Sequence, residues 1–398
     1  MMHSISLRKW ILKAFVIVCF IGLLLPNITL FNEKENAAIV RKENRKITAF
    51  PKIQLLKKDF YPKFEKFYQD RLFARDKLIY AWSILNYKCH VIIKGDLVVG
   101  KHGWLFSKGA NVKEFKDKEI KLKKLKEIQD FCDKRGIKFA FIAPPYKNAI
   151  YADYLPRELR STAPDYHKIE NDLINECKKM KINYISLYKP LLRGRKLFHN
   201  DIYWWDDHHW SYEGASIASD VVLKYIKKYR SNFEYNGMEF DGTYKSGYKE
   251  CSQAKSLGID NENSRQAKAP WSKKFTNQIY GVDKYTSEKV VFSKEPISNN
   301  YLWGKIVKGE SRVYNDRTNN NLKILFLCNS YGSYMTTYLS QFISKMVNTH
   351  YLDKAEKKKN TDLRNLIKQY QPDLVVLEIS APTFFNSKGI GIFKEIKY

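Results

Sequence analysis

Four short apolar runs constrain the fold of this chain more than any other feature: Phe139-Ala140-Phe141-Ile142, Tyr184-Ile185-Ser186-Leu187, Ile324-Leu325-Phe326-Leu327 and Leu374-Val375-Val376-Leu377. Each is too short for a helix and is bounded by turn residues, the pattern of a buried strand. Segments with helical spacing precede and separate them, over residues 112–134, 166–180, 215–229 and 335–347. Strand and helix in alternation predict an α/β fold around a mainly parallel sheet. No internal repeat is visible.

The flanking regions have a different texture. Apolar positions three to six apart over residues 60–93 predict helices, followed by a turn at Gly95, Gly100 and Gly103 between the short strand candidates 97–99 and 104–106. Residues 231–320 are rich in Asn, Lys, Ser and Tyr and read as an insertion of loops and short strands, suited to a substrate-covering lid. Near the N-terminus, Arg8-Lys9-Trp10-Ile11-Leu12-Lys13 precedes the unbroken apolar run 14–25. With no small-x-small cleavage site after it, this predicts an uncleaved signal anchor over residues 1–31, basic end in the cytoplasm and the remainder outside. The expected organisation is thus anchor 1–31, stalk and helical lead-in 32–94, and a catalytic domain 95–398 carrying the insertion.

Charge and cysteine content narrow the class of partner. Lys+Arg number 70 against 42 Asp+Glu, a formal net charge of +28, and such a field attracts polyanions. An exported domain rarely meets nucleic acid, so an anionic glycan or lipid surface suits the location better. Cys19, Cys89, Cys132, Cys177, Cys251 and Cys328 show no Cys-x-x-Cys spacing, and five outside the anchor cannot all pair. No disulfide framework is expected, although one isolated bridge remains open.

The chemistry concentrates in Trp204-Trp205-Asp206-Asp207-His208-His209-Trp210-Ser211 and in Cys328-Asn329-Ser330-Tyr331-Gly332. The first run lies directly ahead of a helix. It offers two registers of acid and histidine, Asp206-x-His208 and Asp207-x-His209, and spacing alone does not choose between them. In the second, Ser330 stands where an apolar strand ends and a helix begins, beyond the carboxyl end of a strand, where open α/β sheets place their ligands. A serine hydroxyl becomes a nucleophile when a histidine takes its proton, and that histidine needs a carboxylate to fix its tautomer. Bland readings compete: Ser330 as a simple N-cap, Asp206 or Asp207 as the start of a helix, the tryptophans as core, and the Asp/His run as a metal site. Adjacent side chains in extended backbone point opposite ways, which disfavours the metal.

Asp207-His208-His209-Trp210 with Ser330 well downstream resembles the DHHW proteins and the SGNH-hydrolase-like domains of alginate O-acetyltransferases. So do Gly100-Lys101-His102-Gly103-Trp104-Leu105-Phe106, Asp70-Arg71-Leu72-Phe73-Ala74-Arg75-Asp76 and Pro144-Pro145-Tyr146-Lys147. The likeness runs from about residue 60 to 380. It implies a three-layer SGNH-hydrolase-like fold and a permuted triad of Asp207 as orienting acid, His209 as base and Ser330 as nucleophile. Trp210 is expected to pack beside the histidine, and Asn329, Gly332 and Trp210 are candidate oxyanion or substrate contacts. Cys328-Asn329-Ser330 stands where the family usually shows Gly-Asp-Ser. The resemblance further implies an extracytoplasmic O-acetyltransferase of a cell-surface or secreted polysaccharide, with no metal or other cofactor. It would receive its acyl group through a membrane-bound acyltransferase partner. An acetyl esterase with the same triad, and a non-catalytic glycan-binding subunit of an export complex, are the competing expectations.

Overall fold

The structure, a computed structural model, describes residues 10–21, 48–53, 58–70, 75–89, 97–108, 114–197, 201–238, 242–246, 267–271, 279–282, 289–291, 310–315, 318, 320–350, 361–386, 391–393 and 396–398. The chain divides into two units, Met1–Ile93 with Ser252–Asn261, and Lys94–Cys251 with Glu262–Tyr398.

In the first unit, residues 10–21 are helical, which at ~1.5 Å per residue gives about 18 Å against the ~30 Å of a bilayer's hydrocarbon core. Among the described residues no helix is long and apolar enough to cross a membrane. The expected anchor is therefore not seen as a full span; its apolar end and most of the expected stalk, residues 22–47, lie outside the described residues. The predicted helical lead-in consists of helices Phe60–Gln69 and Arg75–Lys88.

The second unit opens with a hairpin, β1 (Leu97–Val99) and β2 (Leu105–Ser107), antiparallel in register Val98 to Phe106. The main sheet then takes β3 (Lys138–Ile142) and β4 (Tyr184–Ile185). A separate antiparallel pair, β5 (Gly242–Ser246) and β6 (Ala267–Trp271), precedes β7 (Ile279–Val282), β8 (Lys289–Val291), β9 (Glu310–Asn315), β10 (Lys323–Cys328) and β11 (Lys345–His350). Last come β12 (Thr361–Asp362), β13 (Leu374–Glu378) and β14 (Ile396–Lys397). The order across the eight-stranded sheet is β4-β3-β13-β10-β11-β9-β7-β8. Its first five strands run parallel and β9, β7 and β8 continue it antiparallel. Part of the expected lid insertion thus extends the main sheet.

Burial explains why the apolar runs were legible. In β10, Ile324, Phe326 and Cys328 face one core, with helices Tyr188–Leu197, Tyr212–Tyr229 and Ser330–Leu339. Leu325 and Leu327 face the other, with helices Lys118–Asp133, Tyr166–Lys179 and Leu363–Tyr370. A strand covered on both faces has no solvent side, so it reads as an unbroken apolar run. The result is the expected three-layer α/β arrangement.

Two local expectations need correction. The helix predicted over 335–347 is the shorter Ser330–Leu339, and Lys345–His350 is strand β11. Met346, Val347 and Asn348 are buried beside β10; the polar residues interleaved in this run mask the strand in the sequence. The helix Leu363–Tyr370, which starts at an Asp362 side chain accepting from Asn365 N–H at 3.2 Å, was not anticipated. Among the described residues Cys19, Cys89, Cys132, Cys177 and Cys328 are free thiols, and Cys251 lies outside them.

Candidate active site

The loop carrying the Asp/His run is closed at its base rather than extended. Tyr203 and Trp210 form an antiparallel bridge. Trp204 N–H donates to His209 O at 3.1 Å and Ser211 N–H to Ile202 O at 2.9 Å. Ser211 then caps the helix Tyr212–Tyr229, its hydroxyl accepting from Gly214 N–H. Gly214 is required by close approach: a Cβ there would lie 2.3 Å from Ile202 O and 2.8 Å from Trp210 Cβ. Because the chain reverses within residues 204–209, the alternation of an extended strand does not apply. The rings of His208 and His209 lie on the same side, centroids 3.8 Å apart, which corrects the expectation that they diverge.

Between the two registers the structure brings Asp207 to His209. Asp207 Oδ1 accepts from His209 N–H at 2.9 Å and lies 2.7 Å from His209 Nδ1. On the far side of the ring, His209 Nε2 is 2.7 Å from Ser330 Oγ, across 121 positions of sequence. Asp207 and His209 are buried, whereas Ser330 is partly open. Ser330 begins its helix one residue after β10 ends, with Asn329 as N-cap. Ser330, His209 and Asp207 are therefore held by a strand end and a closed loop at the carboxyl edge of the sheet, as the open α/β topology dictates.

Asp207 Oδ1 also lies 3.2 Å from His208 Nδ1, and the ligand atoms of Asp207, His208 and His209 are within 4.8 Å of one another. Desolvation and the neighbouring His209 push the His208 pKa down to about 3 despite Asp207, so it remains a neutral ring at ordinary pH. Its main-chain carbonyl accepts from Tyr331 Oη at 2.6 Å, tying the Asp/His loop to the residue after the nucleophile.

The expected oxyanion contacts are occupied otherwise. Asn329 N–H donates to Glu378 Oε2 at 2.7 Å and Gly332 N–H to the same oxygen at 3.3 Å. Asn329 Oδ1 accepts from Tyr331 N–H at 2.8 Å. Gly332 is fixed by packing, since a Cβ there would lie 2.4 Å from Cys328 Cβ. Trp210 is fully buried and its indole N–H donates to Tyr331 O at 3.2 Å. What stays near Ser330 Oγ is the positive end of the Ser330–Leu339 helix, where a developing negative charge is favoured.

Two charged residues that sequence reasoning gave no role complete the surroundings. Lys147 is 1% exposed; its ammonium donates to Asp207 O at 2.5 Å, Trp204 O at 3.0 Å and Trp205 O at 3.2 Å. It lies over the rings of Trp104 and Phe106, and Leu105 N–H donates to Trp205 O at 2.8 Å. The Gly-Trp-Leu-Phe hairpin and Lys147 together pin the Asp/His loop. The signal was a lysine just beyond an apolar strand, amid Tyr146, Ala149 and Ile150. Glu378 ends the apolar run of β13, and burial lifts its pKa to about 8 although two N–H bonds and His209 oppose the rise. An acid at the carboxyl end of a buried strand was visible in the sequence, but its partners were not.

Residues 97–292 match the family model described as "SGNH hydrolase-like domain, acetyltransferase AlgX"; Ser330 lies beyond the matched residues. No curated protein matches the chain. Among solved structures, Bacillus cereus PatB1 with a sulfonyl adduct is 16% identical with a TM-score of 0.53, the alignment covering 76% of this chain and 100% of that one. A DHHW family protein from Eubacterium siraeum DSM 15702 is 14% identical with a TM-score of 0.51, covering 76% and 95%. At these identities the likenesses establish the fold. The match of residues 97–292 to that family model is a likeness to the O-acyltransferase family expected from the sequence.

Proposed function

We propose that this protein is an extracytoplasmic O-acetyltransferase that moves an acetyl group onto a hydroxyl of a cell-surface or secreted polysaccharide, through an acyl-enzyme on Ser330. The observation that carries the reading is the relay from Ser330 Oγ through His209 to Asp207, 2.7 Å at each step. His209 Nδ1–H donates to Asp207, leaving Nε2 to take the Ser330 proton as Oγ attacks the donor's acyl carbon. His209 then returns that proton to the leaving group, and an ester on Ser330 results. A sugar hydroxyl attacks the ester, giving its proton to Nε2, and Ser330 leaves with that proton restored. No step calls for a metal or other cofactor.

Acetyl groups are activated in the cytosol, so the reading includes a membrane-bound acyltransferase partner that passes them outward. It also includes attachment of the protein to the membrane through its N-terminal apolar segment. The catalytic part acts outside the cytoplasm, where the polymer is, and its basic composition suits an anionic glycan.

The test is turnover of p-nitrophenyl acetate with and without an oligosaccharide acceptor, followed by mass spectrometry of the saccharide. Acetylated saccharide supports a transferase; free acetate alone replaces it with an esterase. Ser330→Ala, His209→Ala and Asp207→Asn should each lower turnover by at least about 10³-fold, in line with other serine triads. Unchanged turnover in Ser330→Ala and His209→Ala refutes the triad, and normal polymer acetylation in cells carrying Ser330→Ala points to a binding subunit.

A further inference from the structure

Where β3 and β13 end, a partly open cleft is walled by Tyr146, Tyr166, Tyr188 and Phe385. Nothing in the proposed mechanism uses it. One carboxyl lines this otherwise apolar cleft: Glu170, which is 7% exposed. Its Oε1 accepts from Tyr184 Oη at 2.8 Å and from Ser186 Oγ at 2.5 Å. Both bonds fall on the same oxygen. Among the described residues, Oε2 is thus left for whatever enters the cleft.

Burying a carboxyl among aromatic walls costs free energy unless a polar group meets it. Desolvation raises the Glu170 pKa, against the two hydroxyl bonds that lower it. One wall of the cleft also packs against residues adjoining His209 and Ser330. Tyr146, on its wall, has its ring 6.0 Å from that of His208 and 6.1 Å from that of Tyr331, the residue following Ser330.

A ligand group that fits these walls needs an apolar face for the tyrosines and a hydrogen-bond donor for the second Glu170 oxygen. A purely apolar chain satisfies the first and leaves the carboxyl unmet. A pyranose ring has both, with C–H bonds on its face and hydroxyls at its rim. We infer that this cleft is a subsite for one pyranose unit of the acceptor glycan, a ring hydroxyl donating to Glu170 while the sugar face lies on Tyr146, Tyr166 and Tyr188. The inference rests on the proposed transfer to a sugar hydroxyl, and the cleft would hold a unit neighbouring the one acetylated at Ser330.

The experiment uses the full chain carrying Ser330→Ala, so that nothing turns over, and follows binding of cellotetraose, maltotetraose and chitotetraose by saturation-transfer NMR. At least one should bind, and Glu170→Gln and Tyr166→Leu should each weaken it about tenfold or more. Lys224→Ala, which removes an exposed ion pair with Asp220, should leave binding as it is. Near-ultraviolet circular dichroism verifies each fold; Tyr166 is half-buried, so its variant keeps the test decisive if Glu170→Gln misfolds. Affinity unchanged in both cleft variants, or no binding of any tetrasaccharide at about 10 mM, overturns the subsite. Ester turnover by the unmodified protein, measured in parallel, separates the two claims. Saccharide binding without turnover refutes the proposed catalysis alone, and turnover without binding refutes the subsite alone.

Discussion

Glu378 lies behind the nucleophile with one oxygen accepting from the main chain of Asn329 and of Gly332, and its replacement by glutamine gives a prediction with a definite sign. Burial lifts its pKa from the ordinary 4.5 to about 8. Between those values the folded protein holds a proton that the unfolded chain has released, so stability falls as pH rises. It is fully present below 4.5 and lost as pH climbs through 8. At about 1.4 kcal/mol per pH unit, the window between the two values corresponds to roughly 5 kcal/mol. Glutamine keeps a carbonyl oxygen for both N–H donors and does not titrate. Its extra N–H groups add a pH-independent offset, so the slope carries the information. Urea unfolding of the wild type and Glu378→Gln, followed by tryptophan fluorescence from pH 5 to 9, should show the variant gaining roughly 4 kcal/mol relative to the wild type by pH 8 and then running parallel. Other groups titrate in both proteins and cancel in the difference. A difference constant to within about 1 kcal/mol across the range refutes the buried neutral carboxyl, and with it the claim that Glu378 is protonated at neutral pH.

Other outcomes follow from the same geometry. Lys147→Met removes the donor to three loop carbonyls and should cost roughly 3–5 kcal/mol, as losses of buried charged hydrogen-bonding partners do; denaturant midpoints check this, and a loss under about 1 kcal/mol counts against the pinning role. Gly332→Ala forces a Cβ to 2.4 Å from Cys328 Cβ and should cost about 1–3 kcal/mol by overpacking, with ester turnover falling as Ser330 is displaced. A wild-type stability and rate would show that the helix and β10 can separate freely. Because His208 is pushed down to about 3, its imidazole resonances should stay in the neutral position from pH 8 to pH 5 in an ¹⁵N–¹H titration; movement with a midpoint near 6.5, the ordinary value, would contradict its desolvation.

How far the sequence could be read depended on whether a residue's role is local. The strands β3, β10 and β13 were legible because burial on both faces leaves no polar position in the run. The strand β11 was not, since its Lys345, Asn348 and His350 break the apolar pattern and only pairing with β10 accounts for them. Ser330 at the strand–helix junction was visible as a position. The oxyanion expectation at Asn329 and Gly332 went astray for a distant reason: the acceptor that takes their N–H groups is Glu378, 49 and 46 positions away. Trp210, expected beside His209, donates its indole N–H to Tyr331 O.

By itself the sequence determined the layer architecture and a small set of chemically apt side chains, because apolar periodicity and turn residues act over a few neighbours. It left Asp206 and Asp207 equivalent, since both stand two residues before a histidine. Only the tertiary structure decided between them. The bridge of Tyr203 to Trp210 and the ammonium of Lys147 turn the loop so that Asp207 meets His209, and the sheet brings Ser330 to the other side of the same ring. The hydrogen bonds that select the register are between groups far apart in the chain, whose distances are fixed only once the core around them has packed.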